Sequence, residues 1–176
     1  MKNVAIPDFP ATRGVYVRMT CAVRDLTDRL PFGTAILRAP TLVCAAAYIL
    51  SLLMLLLRHD ARIVRALLVP AACFLVATAL RPAIDRARPY DFFDAPPVGR
   101  YRRGKGKSMP SRHTASAAAI ACAAVYAFPG WPLGILMALL CLMIAALRVL
   151  AGQHYLGDVL AALGLSLLLS LIGYTL

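Results

Sequence analysis

PLGILMALLCLMIAALRVL, residues 132–150, and YLGDVLAALGLSLLLSLIGYTL, residues 155–176, are two apolar runs separated only by the stretch AGQH at 151–154. Each is close to the roughly twenty residues that an α-helix needs to cross a bilayer core. The tight connection between them makes them antiparallel neighbours. Their facing ends carry Arg148, His154 and Asp158. An ionisable side chain inside a spanning segment is expensive in lipid, and where one occurs it usually serves function.

Three further apolar segments lie upstream, Ile36 to Leu57, Ile63 to Leu80 and Ser111 to Phe128. Pro70 interrupts the second and predicts a kink there. The third, HTASAAAIACAAVYAF from residue 113, is built from Ala, Ser, Thr and Cys. Such a helix faces lipid poorly but lets neighbouring backbones approach closely, so it belongs at the centre of a bundle. Residues 10–34 alternate Arg13, Arg18, Arg24, Asp25, Asp28 and Arg29 with Val15, Val17, Met19, Val23 and Leu26. That pattern suits an amphipathic helix lying in the membrane interface, not one that spans. The predicted fold is all-α: an integral membrane bundle of about five spanning helices, residues 36–176, preceded by an interfacial segment, residues 1–35.

Composition agrees with this reading. The 176 residues are 61% hydrophobic, above the roughly half that soluble domains carry. Net charge is +11, but the cations avoid the apolar runs and collect between them. This distribution points to membrane flanks and an anionic ligand, not to nucleic acid. Residues 1–30 lack the apolar core of a cleavable signal peptide. The five cysteines show no pairing pattern and no CxxC, so neither a disulfide framework nor a zinc site is expected.

Chain alternation brings three polar stretches to one membrane face: the end of the second span with the loop after it, the start of the third, and the hinge between the fourth and fifth. They carry Arg81, Arg88, Ser111, Arg112, His113, Arg148, His154 and Asp158. Guanidinium forks match phosphate oxygens in charge and geometry. One imidazole can attack phosphorus while another protonates the leaving oxygen. His154 and Asp158 are spaced i, i+4 and share a helix face, so the carboxylate can orient the imidazole. The basic run Arg100, Arg102, Arg103, Lys105 and Lys107 suits an anionic head group, and equally a loop facing anionic lipid.

These residues resemble the three sequence blocks of the type 2 phosphatidic acid phosphatase (PAP2) superfamily, to which the vanadate-dependent haloperoxidases also belong. Its first block, Lys, six residues, Arg-Pro, reads RPAIDRARP here, with Arg81 in the Lys place and Arg88-Pro89 following. The second, Pro-Ser-Gly-His, reads PSRH from Pro110 to His113. The third, Ser-Arg, five residues, His, three residues, Asp, reads LRVLAGQHYLGD, with Leu147 in the Ser place. The haloperoxidases are soluble, whereas this chain is not.

The resemblance implies a metal-independent, cofactor-free lipid phosphatase working through a phosphohistidine. His154 would be nucleophile, Asp158 its orienting partner and His113 the general acid. Arg81, Arg88, Ser111, Arg148 and the Arg112 amide would hold the phosphate. Phosphatidic acid, phosphatidylglycerophosphate and a polyprenyl diphosphate are all possible substrates. The Arg112 side chain, in place of Gly, is expected to reach a second phosphate or the head group. The alternative is a non-catalytic lipid-phosphate-binding or transport protein of the same fold. A transporter would place its polar groups near the midplane, whereas here they sit at helix ends. Apart from its substrate and the surrounding lipids no partner is implied, and oligomeric state is left open. The Lys/Arg bias of the loops points the site to the cytoplasm. The bacterial relatives point instead to the outer face of the inner membrane, and that is the expectation adopted.

Overall fold

The computed structural model describes residues 10–93, 95–99, 101, 107–130 and 132–176. Among them the helices are α1 (Pro10–Arg29), α2 (Gly33–Ile36), α3 (Ala39–Leu57), α4 (Arg62–Ile84), α5 (Pro89–Phe92), α6 (Arg112–Ala127), α7 (Pro132–Leu150) and α8 (Leu156–Thr175), with no strand. The all-α membrane bundle expected from the sequence is the one observed.

α6 is the hub. Its alanines, from Ala115 to Ala127, are buried on nearly every side, and it packs against α3, α4, α7 and α8. Met137, Leu140 and Ile144 of α7 fill the space beside Ala117, Ala118, Ala121 and Ala124, with Cys44 of α3 completing the cluster. Small side chains on the hub let large ones on its neighbours interdigitate, the packing mode open to helices that gain nothing from hiding Leu from lipid. Ser166 Oγ of α8 donates to the Ala115 carbonyl at 2.9 Å, tying the two backbones together.

The outer surface is apolar. Leu42, Ile49, Leu67, Leu75, Ile135, Leu142, Leu160, Leu167 and Leu171 are all exposed, an arrangement that makes sense in hydrocarbon and not in water. α3, α4, α7 and α8 are long and apolar enough to cross a membrane. α6, the fifth expected span, has only 16 residues, or about 24 Å of helix. It falls short of a full bilayer core, and enclosure by four helices means that it need not match the lipid thickness.

α4 carries Pro70 in its interior. Proline lacks the N–H that would bond the Ala66 carbonyl four residues back. Tyr48 of α3 supplies the missing donor, its hydroxyl reaching that carbonyl at 2.9 Å. A neighbour's side chain thus makes the hydrogen bond that Pro70 cannot.

α1 is three-sided. Tyr16, Thr20 and Thr27 are buried, Val15 and Leu26 form an exposed apolar stripe, and Arg18, Asp25 and Arg29 are exposed on the remaining side. It lies across the polar end of the bundle. Tyr16 Oη donates to the carbonyls of Gly152 at 3.1 Å and Ala95 at 3.3 Å, and Arg24 Nη2 to that of Pro96 at 2.7 Å. Gly152 has φ of 71° and no room for a Cβ against Tyr16 and Thr20, so the hinge between α7 and α8 requires glycine there.

Candidate active site

Three loops meet at this end, and backbone hydrogen bonds join them. The first leaves α4 through Asp85, which is left-handed with φ of 41°. The second, Ser108 to Ser111, enters α6. The third, 151–155, joins α7 to α8. Ser108 N–H donates to Arg86 O at 2.8 Å, Ser111 N–H to Asp158 O at 3.1 Å, and Val98 N–H to Ala151 O at 2.9 Å. Arg81 is buried in the last turn of α4, and its guanidinium donates to the Lys107 carbonyl.

Asp158 is fully buried in the first turn of α8. Its Oδ1 accepts from Arg86 Nη1 at 2.8 Å. Its Oδ2 accepts from Ser108 Oγ at 2.5 Å and from the Tyr155 N–H at 3.0 Å. His154 Nδ1 lies 3.5 Å from the same Oδ2 and 3.4 Å from Ser108 Oγ. Nδ1 facing a carboxylate assigns the ring proton there and leaves the lone pair on Nε2. Burial pushes the His154 imidazole below its usual pKa of 6.5. Asp158 pulls the other way, while Arg88 and Arg81 add to the lowering. The ring is therefore neutral at pH 7, the state a nucleophile or base needs.

In front of this buried layer is a cavity of about 390 Å³, whose polar walls are Arg38, Thr41, Arg88, His113, Arg148 and Gln153. Gln153 organises it. Its Oε1 accepts from Arg148 Nη1 at 2.7 Å, its Nε2 donates to the Val98 carbonyl at 3.1 Å, and its own carbonyl accepts from Arg88 Nη1 at 3.4 Å. Ser111 is buried and its hydroxyl accepts from Thr114 Oγ1 at 3.1 Å. A second, apolar groove of about 360 Å³ runs along α3 and α6 past Cys44, Phe74, Ile120 and Ile144. His113 and Thr41 line both spaces and mark their junction.

The sequence-derived candidates thus divide into two layers. Arg88, His113 and Arg148 face the cavity, whereas Arg81, Ser111, His154 and Asp158 are buried. Arg112 does neither. Its guanidinium stands 5.9 Å over the Phe74 ring and lines the apolar groove beside His113. Four contributors went unread in the sequence: Arg38, Arg86, Ser108 and Gln153. Arg86 and Ser108 lie inside or beside the motif blocks, at positions the blocks leave blank. Of the basic run, Lys107 is described and exposed, whereas Arg100, Arg102, Arg103 and Lys105 lie outside the described residues. Among the described residues no three His, Cys, Asp or Glu side chains gather as metal ligands.

The family model of the PAP2 superfamily matches residues 62–176, about two thirds of the chain. Among solved structures the chain is similar to a transmembrane PAP2 type phosphatidylglycerolphosphate phosphatase from Bacillus subtilis. The TM-score is 0.67 at 23% identity, over 96% of this chain and 87% of that one. At that identity the likeness is one of fold. A comparison with curated proteins gave no match.

Proposed function

This chain belongs to the PAP2 superfamily, and we propose that it is a membrane phosphatase hydrolysing a lipid phosphomonoester or diphosphate. One observation carries the reading: the buried His154–Asp158 pair sits behind a cavity walled by guanidinium groups, and an apolar groove adjoins that cavity at His113. Such a site suits a substrate with an anionic head and an apolar tail.

In the proposed reaction Nε2 of His154 attacks phosphorus. The P–N bond forms as the bond to the leaving oxygen breaks, and His113 donates a proton to that oxygen. Asp158 stabilises the imidazolium character that develops on His154. Arg88 and Arg148, with Arg81 and the Ser111 hydroxyl behind them, hold the equatorial oxygens as charge develops there. Water then attacks the phosphohistidine, His113 takes its proton, and inorganic phosphate leaves. Phosphatidylglycerophosphate, phosphatidic acid and polyprenyl diphosphates all fit this scheme, and neither a metal nor a cofactor takes part.

The test is phosphate release by purified protein in detergent, with and without EDTA, from those lipid phosphates. Release from at least one, undiminished by EDTA and inhibited by vanadate, supports the proposal. No release, or release restored only by Mg²⁺, sinks it.

The neutral state of His154 has its own measurement. Histidine labelled with ¹⁵N, assigned by comparison with His154→Ala, should show His154 titrating below pH 6.5, since burial outweighs the nearby carboxylate. A midpoint above 6.5 would remove the argument for a neutral nucleophile at pH 7.

The protein is an integral membrane protein, and we place the site on the outer face of a bacterial inner membrane. Cysteine introduced by Gly104→Cys, in a background without native cysteines, should react with an impermeant maleimide in intact spheroplasts. Labelling only after lysis would put the site in the cytoplasm.

A further inference from the structure

The cavity contains one guanidinium that the family's three blocks do not explain. Arg38 stands at the junction of α2 and α3, upstream of the residues 62–176 that the family model matches. It lines the same cavity as Arg88, His113 and Arg148. Among the described residues its guanidinium has neither an ion-pair nor a hydrogen-bond partner. By contrast, Arg62 at the other end of the bundle is paired with Asp60 at 2.9 Å.

Among the described residues no carboxylate lines the cavity. Three guanidinium groups share this one concave space, and their mutual repulsion favours the entry of an anion. A transferred phosphoryl group already has Arg88 and Arg148 in front and Arg81 behind. The volume of about 390 Å³ is room for on the order of a dozen waters, more than one phosphoryl group occupies.

Position decides which part of a substrate Arg38 meets. Thr41, one helical turn further along α3, lines both the polar cavity and the apolar groove, as His113 does. Arg38 therefore lies on the side where the leaving group passes from cavity to groove. We propose that Arg38 forms a second anion subsite, binding the phosphate of the leaving group that is not transferred. This inference rests on the lipid phosphatase reading. The bound group is either the inner phosphate of a lipid diphosphate or the phosphodiester of a lipid glycerophosphate. The chemistry is the same, and the two differ in the spacing between phosphates.

The experiment compares kcat/KM of wild type, Arg38→Gln and Arg38→Lys on two substrate pairs: farnesyl diphosphate against farnesyl monophosphate, and phosphatidylglycerophosphate against phosphatidic acid. Arg38→Gln should lower at least one doubly phosphorylated to singly phosphorylated ratio about tenfold, mainly through KM, since a charge-assisted hydrogen bond is lost. Arg38→Lys should recover part of it. The pair that responds identifies the spacing. Ratios unchanged within twofold in both pairs, or parallel losses on all four substrates, would overturn the subsite.

Thermal stabilisation reads the same site without turnover. In wild type, methylenediphosphonate should raise Tm at concentrations about tenfold below those of phosphate, and Arg38→Gln should close that gap. No gap in wild type overturns the subsite at the diphosphate spacing and, with an unchanged ratio in the phosphatidylglycerophosphate pair, overturns it altogether. Failure to hydrolyse any of the four lipids, with the gap present, would instead overturn the phosphatase reading.

Discussion

His154→Ala should abolish phosphate release while leaving the protein folded. In the proposed mechanism the first bond made is between Nε2 and phosphorus, and His154 is the imidazole that a fully buried carboxylate faces. Loss of a covalent nucleophile costs about 10⁴-fold or more in kcat. The fold should survive because Asp158 does not depend on His154 for its hydrogen bonds. Arg86, Ser108 and the Tyr155 N–H remain, so the buried carboxylate stays satisfied. The measurements are kcat on the best lipid substrate and Tm in detergent. Retention of a tenth of wild-type kcat with an unchanged Tm would refute His154 as the nucleophile.

His113→Ala should slow cleavage of alkyl phosphates by roughly 10²–10⁴, the usual span for general acid catalysis. The position of His113 motivates the role, since it stands where cavity and groove meet and where the oxygen attached to the lipid must lie. A leaving group that is already stable as an anion needs less help. With p-nitrophenyl phosphate the same variant should therefore lose much less. The measurement is the ratio of losses on the two esters. Equal losses would mean that His113 binds the phosphate and does not protonate the leaving oxygen.

Much of this was legible in the sequence because it depends on local signals. Length and apolarity marked the spans, and alternation across the membrane put Arg88, His113 and Arg148 at the same end. The i, i+4 spacing paired His154 with Asp158. Contacts between distant segments were not legible. Arg86 reaches Asp158 across 72 residues, and Ser108 across 50. Nothing in a loop's composition announces which side chain will turn inward. The donor that answers Pro70 was not legible for the same reason, since the hydrogen bond from Tyr48 belongs to another helix. Arg112 was read from its chemistry alone. The first turn of α6 instead sends it toward Phe74.

The crowding around Asp158 bears on how charge moves during the proposed reaction. Both carboxylate oxygens already accept hydrogen bonds, one from a guanidinium, the other from a hydroxyl and a backbone amide. A proton arriving from His154 would have to displace one of these donors and leave Arg86 beside a neutral acid. The carboxylate therefore stays an anion throughout, and the imidazole keeps its Nδ1 proton as positive charge builds on the ring. Only one proton is then in flight in each half of the cycle, first the one that His113 gives to the leaving oxygen and then the one that it takes from water, around a negative charge that never moves.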